Sequence, residues 1–263
     1  MSRASRHRVA FALMAGTWLL ATAAAAQVPL RSGLADMSPA LQALQRDDAR
    51  NPAMLWVADG QAQWSHPSSR SQPGGRSCAS CHGEAATSMR GAATRHPAWD
   101  AAGARPVSLA QRIEHCRVQR LNLSPRALDA EAALGLEAFV AMQSRGMPLQ
   151  PVTEPALKPW LERGAALWQQ RFGQLDLACV HCHDQRAGLK LAGATIPQGH
   201  ANGYPLYRLE WQTLGPLQRR LRACLAGVRA EPFAPGADEW LALEVYLRQR
   251  GAGLPVETPA VRP

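Results

Sequence analysis

Two short segments hold the residues best suited to chemistry. Cys78-Ala79-Ser80-Cys81-His82 and Cys179-Val180-His181-Cys182-His183 each set two thiols three positions apart, with an imidazole directly after the second. This is the pattern of covalent haem attachment. The thiols add across the two haem vinyl groups, and the adjacent histidine supplies a nitrogen ligand to iron. Other uses of paired cysteines fit less well. A zinc site needs four ligands per ion, and a redox dithiol has no need of the histidine. Six cysteines in an exported chain also allow three disulfides, but four of the six follow the attachment spacing. The sequence therefore predicts two covalent c-type haems. One sits on Cys78 and Cys81 with His82 as axial ligand, the other on Cys179 and Cys182 with His183.

Each iron has a second axial position, which methionine or histidine commonly fills. No methionine follows Met147, so the second half offers only Cys224, His181 and His200. His181 lies inside the attachment segment, on the wrong side of the haem. His200 lies in a plausible loop, Gln198-Gly199-His200-Ala201. Cys224 is the favoured ligand. For the first haem Met89, Met142, Met147, His96 and His115 compete with the favoured Cys116. A thiolate would lower the reduction potential, and a Cys116–Cys224 disulfide is the competing use of this pair. Arg112 and Arg220 each precede their cysteine by four residues, hence on the same helical face. Only Cys224 has further arginines around it, Arg219, Arg222 and Arg229. Guanidiniums stabilise a sulfur anion and grip an anionic substrate through forked hydrogen bonds. That asymmetry points to chemistry at the second haem.

The elements that must carry these residues recur at an offset near 100. Val57 to Trp64 matches Leu161 to Trp168, Leu109 to Cys116 matches Leu217 to Cys224, and Leu136 to Gly146 matches Leu241 to Gly251. Each half reads as helix, haem loop, irregular crossing, cysteine-bearing helix and final amphipathic helix. The predicted fold is all-α: two tandem cytochrome c-like domains related by internal duplication, with an N-terminal extension. The predicted boundaries are 27–150 and 151–263. Pro148, Pro151, Pro155 and Pro159 mark a linker, Ser68 to Gly75 a loop, and residues 251–263 a tail.

Residues 1–26 read as a secretory signal peptide. Arg3, Arg6 and Arg8 precede a short apolar run, and Ala24-Ala25-Ala26 offers a small-residue cleavage site. The run is below the roughly 20 residues a membrane span needs. Its removal leaves about 237 residues and lowers the formal charge from +9 by three arginines. The expected location is the periplasm, with no membrane span in the mature chain. The basic residues are nearly all arginine, and none form a run interleaved with aromatics. An anionic small substrate or an acidic partner suits them better than nucleic acid.

From Asn51-Pro-Ala-Met-Leu-Trp-Val-Ala-Asp-Gly60, through Ser77-Cys-Ala-Ser-Cys-His-Gly83, to Arg220-x-x-x-Cys224-Leu-Ala-Gly-Val-Arg-Ala230, the chain resembles SoxA, the dihaem subunit of the SoxAX cytochromes of bacterial thiosulfate oxidation. The resemblance covers most of the chain after the leader, and its last segment is the most specific. It implies an L-cysteine S-thiosulfotransferase that joins thiosulfate oxidatively to a cysteine of the carrier SoxYZ. Two electrons pass to cytochrome haem. It also implies pairing with SoxX, a smaller monohaem cytochrome, a distal haem ligand at Cys224 modified to a persulfide, and Arg220 on the substrate. Some relatives have a disulfide in place of the first haem. Here Cys78, Cys81 and His82 are all present, so the dihaem form is expected, with Cys116 as first-haem ligand. Three alternatives compete: a plain dihaem electron carrier, a thiosulfate dehydrogenase releasing tetrathionate, and a dihaem peroxidase. The partner haem of the dehydrogenases usually takes methionine, which the second half lacks, and nothing in a peroxidase calls for two thiolate ligands.

Overall fold

The computed structural model describes residues 29–66 and 75–263. The predicted leader and nearly all of the predicted loop from Ser68 to Gly75 lie outside the described residues. An entry helix α1 (Pro39–Arg46) is followed by α2 (Met54–Ser65), α3 (Cys78–His82), α4 (Ala85–Ser88), the hairpin β1 (Ala98–Asp100) and β2 (Arg105–Val107), α5 (Leu109–Leu121) and α6 (Glu131–Met142). The second half runs α7 (Lys158–Gln169), α8 (Cys179–His183), the hairpin β3 (Lys190–Leu191) and β4 (Ala194–Thr195), the hairpin β5 (Leu206–Arg208) and β6 (Thr213–Gly215), α9 (Leu217–Gly227), α10 (Asp238–Arg250) and β7 (Ala260–Arg262).

In each half the first long helix crosses the last one at very short range, and glycine makes this possible. A Cβ on Gly60 would lie 2.1 Å from the Gly135 carbonyl oxygen and 2.7 Å from Phe139 Cβ. A Cβ on Gly164 would lie 2.1 Å from the Ala242 carbonyl oxygen and 2.6 Å from Tyr246 Cβ. Around the first crossing pack Val57, Trp64, Leu134, Leu136, Ala138 and Val140. Around the second pack Leu167, Leu225, Trp240, Ala242 and Leu243. The duplication read from the sequence is thus a duplication of backbone packing.

These contacts also correct the register of the final helices. Gly135 and Phe139 correspond to Ala242 and Tyr246, two residues out of step with the Arg-Gly match used above. Gly146 therefore pairs with Gly253, and both take positive φ, 81° and 90°. Main-chain bonds between the halves obey the same register. Gly146 N donates to Val256 O at 2.8 Å, and Gly253 N to Leu149 O at 2.9 Å. Val256 N donates to Met147 O and Leu149 N to Leu254 O, at 2.9 and 2.8 Å. Pro148 thus bridges to Pro255, its own counterpart, and a local two-fold axis passes between them. The first residues of the predicted linker are stitched into this contact, and Leu149 is buried.

The fold is mostly helical but not all-α. Three small sheets are present among the described residues. Their strands span two or three residues, too few for a period-two pattern to register. The hairpins β1–β2 and β5–β6 occupy equal places, each just ahead of the cysteine-bearing helix. The predicted C-terminal tail is also corrected. β7 pairs in parallel with β5, Leu206 opposite Ala260 and Arg208 opposite Arg262. Ala260 and Val261 are fully buried. Asn51 Nδ2 donates to Pro259 O at 2.9 Å, and Val261 N donates to Gln45 Oε1 at 3.0 Å. The N-terminal extension thereby clamps the end of the chain.

Candidate functional site

Each attachment motif is a single helical turn, which puts its two thiols on one face. Ser77 caps α3: its Oγ accepts from Ser80 N at 3.0 Å, while Ser80 Oγ accepts from Ser77 N. In α8 the ring of His181 does this work, its Nδ1 accepting the Ala178 N–H at 2.9 Å. His181 is therefore committed to the attachment turn and does not reach across it.

A tryptophan backs each motif histidine. Trp64 lies 5.8 Å from His82 with 34° between ring planes, and Trp168 lies 5.6 Å from His183 with 35°. Trp64 Nε1 donates to Gly83 O at 3.1 Å. Trp168 Nε1 donates to Asp184 Oδ2, also at 3.1 Å. Asp184 in addition pairs with Arg250, whose guanidinium lies 4.4 Å over the Trp168 ring. His183 Nδ1 donates to Pro197 O at 2.8 Å. A carbonyl can only accept, so this bond fixes the proton on Nδ1 and leaves the Nε2 lone pair free for a metal. Burial holds the His183 pKa below its usual value, and Arg220 and Arg250 push the same way. The ring is thus neutral, the form that ligates iron. Position 199 requires glycine on two counts, a φ of +76° and a Cβ that would lie 2.9 Å from the His183 ring.

The six cysteines are free, so Cys116 and Cys224 form no disulfide. Cys116 belongs with the first pair. Burial raises its pKa, and the nearby Cys81 thiol adds to that. Burial likewise raises Cys78, with Cys116 adding. Cys224 belongs with the second pair: Cys179 is pushed up to about 11 by burial and next by Cys224. His115 is exposed and Cys116 half-buried, as expected for neighbours on a helix. Met89 and Met142 pack on the first-half core. His96 Nδ1 is 2.8 Å from the Ala92 carbonyl oxygen, and Met147 Cε lies beside Gly91. His200 Nε2 meets Gln198 Oε1 at 3.0 Å. Burial, then Arg250, lowers the His200 pKa to about 4, with Asp184 and His183 also acting on it. Gly199, the residue before His200, abuts the His183 and Trp168 rings, which sets His200 on the His183 side.

These residues fit covalent haem. Beside Cys78 a groove of about 320 Å³ has apolar walls from Leu121, Leu123 and Leu136 and a polar rim from Gln63, His66 and Arg117. That pairing suits an apolar macrocycle with charged propionates.

The arginines separate the halves. Arg112 NH2 donates to Asp100 Oδ1 at 2.9 Å, and Glu114 holds both Arg117 and Arg126. Arg219 stacks on Trp211 at 4.2 Å, Arg222 stands 3.9 Å from Asp129, and Arg229 is exposed. Arg220 has no carboxylate partner among the described residues. Sequence reasoning missed Asp184, Pro197 and Arg250. It had noted Trp64 and Trp168 as matched positions without assigning them work.

The sequence profile of the SoxA/TsdA cytochrome c domain matches residues 59–149 and again 163–256. The chain belongs to this family. Cytochrome c domains carry covalently bound haem c, which agrees with the motif geometry. The L-cysteine S-thiosulfotransferase subunit SoxA of Pseudaminobacter salicylatoxidans is 39% identical over 219 residues, 83% of this chain and 76% of that one. The SoxA subunit of Rhodovulum sulfidophilum is 35% identical over 234 residues, 89% of this chain and 80% of that one. The crystal structure of SoxXA from P. pantotrophus superposes with a TM-score of 0.83 at 32% identity, covering 89% of this chain and 87% of that one.

Proposed function

We propose that the chain is a dihaem L-cysteine S-thiosulfotransferase subunit that joins thiosulfate to a cysteine thiol of a carrier protein. The observation that carries this reading is the Cys224–Arg220 pair on α9. It is a thiol beside the second attachment pair, with a guanidinium one helical turn before it that no carboxylate of the described residues neutralises. The SoxA names and similarity of the relatives support it.

Haem c bound at the two motifs supplies the one-electron acceptors of the reaction. The chain's own residues do the rest. Arg220 holds the sulfonate oxygens of thiosulfate through charge-assisted hydrogen bonds. The Cys224 sulfur then forms a bond to the terminal sulfur of thiosulfate, with loss of its proton and two electrons, giving Cys224–S–S–SO3⁻. The thiolate of the carrier cysteine attacks the inner sulfur of that group. Carrier–S–S–SO3⁻ leaves, the Cys224 thiolate is regenerated, and the carrier's proton goes to solvent. In sum, carrier–SH and thiosulfate give the S-thiosulfonate, one proton and two electrons. Haem c at the first motif would be held by Cys78 and Cys81 with His82 and Cys116 as iron ligands, and at the second by Cys179 and Cys182 with His183 and Cys224.

The proposed partners are a SoxX-like monohaem cytochrome, supported by the SoxXA match, and a SoxYZ-like carrier. The proposed location is the periplasm, on the strength of the leader read over residues 1–26. No described helix is long and apolar enough to cross a membrane. The test supplies the haem-loaded protein with thiosulfate, an electron acceptor and a cysteine-bearing carrier, and weighs the products. S-thiosulfonated carrier is expected. Free tetrathionate as the sole product would overturn the reading in favour of a dehydrogenase.

A further inference from the structure

The repeat exposes a charge exchange beside Cys224. β1 and β5 are equivalent strands, and their third residues are Asp100 and Arg208. In the first half Asp100 reaches forward to Arg112, the arginine four residues before Cys116. In the second half the residue at that same station is a second arginine. Arg208 and Arg220 therefore replace an ion pair with two like charges.

Three features show that Arg208 is held for a purpose other than structural pairing. Its side chain is 14% exposed and its Nε is buried with no hydrogen-bond partner. Its one carboxylate partner is Glu210, 64% exposed at 3.0 Å, and a solvated carboxylate neutralises a buried cation poorly. Its guanidinium lies 5.1 Å over Trp211, whose ring also carries Arg219. Trp211 thus fixes the plane of Arg208 without satisfying its donors. The cross-strand neighbour Arg262 is handled differently, since Glu257 and Gln45 take its guanidinium. Geometry places Arg208 beside the start of α9: β5 pairs with β6, Arg208 opposite Thr213, β6 leads directly into α9, and the Trp211 ring carries both Arg208 and Arg219, the residue before Arg220. Burial pushes the Tyr204 phenol up to about 12, and Arg220, Arg208 and Cys224 are among the charges that act on it.

We infer that Arg208 is a second substrate-positioning residue, gripping the sulfonate end of a thiosulfate-type dianion together with Arg220. Two guanidiniums match two negative charges, and the buried Nε of Arg208 gains the partner that the protein does not provide. This deepens the reading of Cys224 and Arg220 given above and rests on it.

The test compares Arg208→Asp, which copies the first half, with Arg208→Lys, which keeps the charge, in the haem-loaded protein. Two quantities are read: thiosulfate affinity by calorimetry, and KM and kcat for carrier conjugation. Arg208→Asp should weaken thiosulfate binding and raise KM by roughly ten-fold or more while leaving kcat within about two-fold. Arg208→Lys should recover most of the binding. Unchanged thiosulfate affinity in Arg208→Asp would overturn the inference, as would equal losses in both variants, which would mark a packing role. A wild-type protein that conjugates nothing would defeat the functional reading instead. Calorimetry would then still decide whether Arg208 binds the dianion.

Discussion

Position for position, the surroundings of Cys116 and Cys224 differ in sign. Asp100 and Glu114 in the first half stand where Arg208 and Arg222 stand in the second, on equivalent elements. In the first half three of the arginines around the cysteine have an acid at hand: Arg112 has Asp100, while Arg117 and Arg126 share Glu114. The second half keeps the arginine before the cysteine and removes its counterions. The proximal sides differ too. Gly83 offers Trp64 only a carbonyl, whereas Asp184 binds Trp168 and Arg250 together. The duplicated backbone thus presents the same Cys-x-x-Cys-His turn twice, while two carboxylate-to-arginine exchanges leave only the second copy with a surplus of positive charge around its cysteine. Residues shared by both halves then concern attachment and packing, and residues that differ concern chemistry.

The sharpest way to break this contrast is to remove each cysteine in turn. Cys224→Ala should lower carrier conjugation by about a thousand-fold or more, as loss of a nucleophile does. Cys116→Ala should retain most turnover while shifting the spectrum of the first haem. Equal losses would show that the halves are not specialised. Next in size is the shared packing. Gly60→Ala and Gly164→Ala each drive a methyl into a carbonyl oxygen, so each should destabilise by about 3 kcal/mol. Thermal unfolding should show similar falls for the two, since this is where the halves agree.

Arginine replacement sharpens the contrast further. Arg220→Ala should reduce kcat/KM for thiosulfate by roughly 30- to 100-fold, the worth of a charge-assisted bond. Arg112→Ala should change it less than about two-fold, because Arg112 is already spent on Asp100. The smallest effect lies where the halves meet. Glu137 and Glu244 occupy equivalent positions and line a cavity of about 420 Å³ between the halves, with His96, Asp129, Arg222 and Arg248 also on its wall. Burial pushes Glu137 up to about 8, with Glu244 adding to it, and pushes Glu244 up to about 7 against the Gln218 hydrogen bond. Both folded values lie above the unfolded one. Their contribution to stability is therefore full below about pH 4 and is lost as pH rises through the folded values of about 7 and 8. Glu137→Gln cannot ionise, so its stability relative to wild type should climb from about pH 5 to about 8 and level off above that. Denaturation midpoints across that range check it.

Much of the site was legible because its spacing is local. The two attachment motifs, the arginine four residues before each cysteine and the lack of methionine after Met147 are all visible in the string. What was not legible depends on contacts between distant residues. Pro197 lies 14 residues beyond His183 and Arg250 lies 66 beyond Asp184, and no periodicity joins them. Repeated Arg-Gly pairs set the final helices two residues out of register, because the positive φ that makes Gly146 and Gly253 equivalent is a backbone property. The strands were too short to leave a pattern, so the hairpin that aligns Arg208 with Asp100 was invisible. The prolines after Gly251 suggested a free tail, yet β7 is buried by residues from the other end of the chain.

Trapping the covalent intermediate tests the division of labour most directly. The haem-loaded protein is incubated with thiosulfate and an electron acceptor, without carrier, then digested and mapped by mass spectrometry. One thiosulfate group should be gained on the peptide containing Cys224 and none on the peptide containing Cys116. An adduct on Cys116, or on both cysteines alike, would contradict a reaction centre confined to the second half.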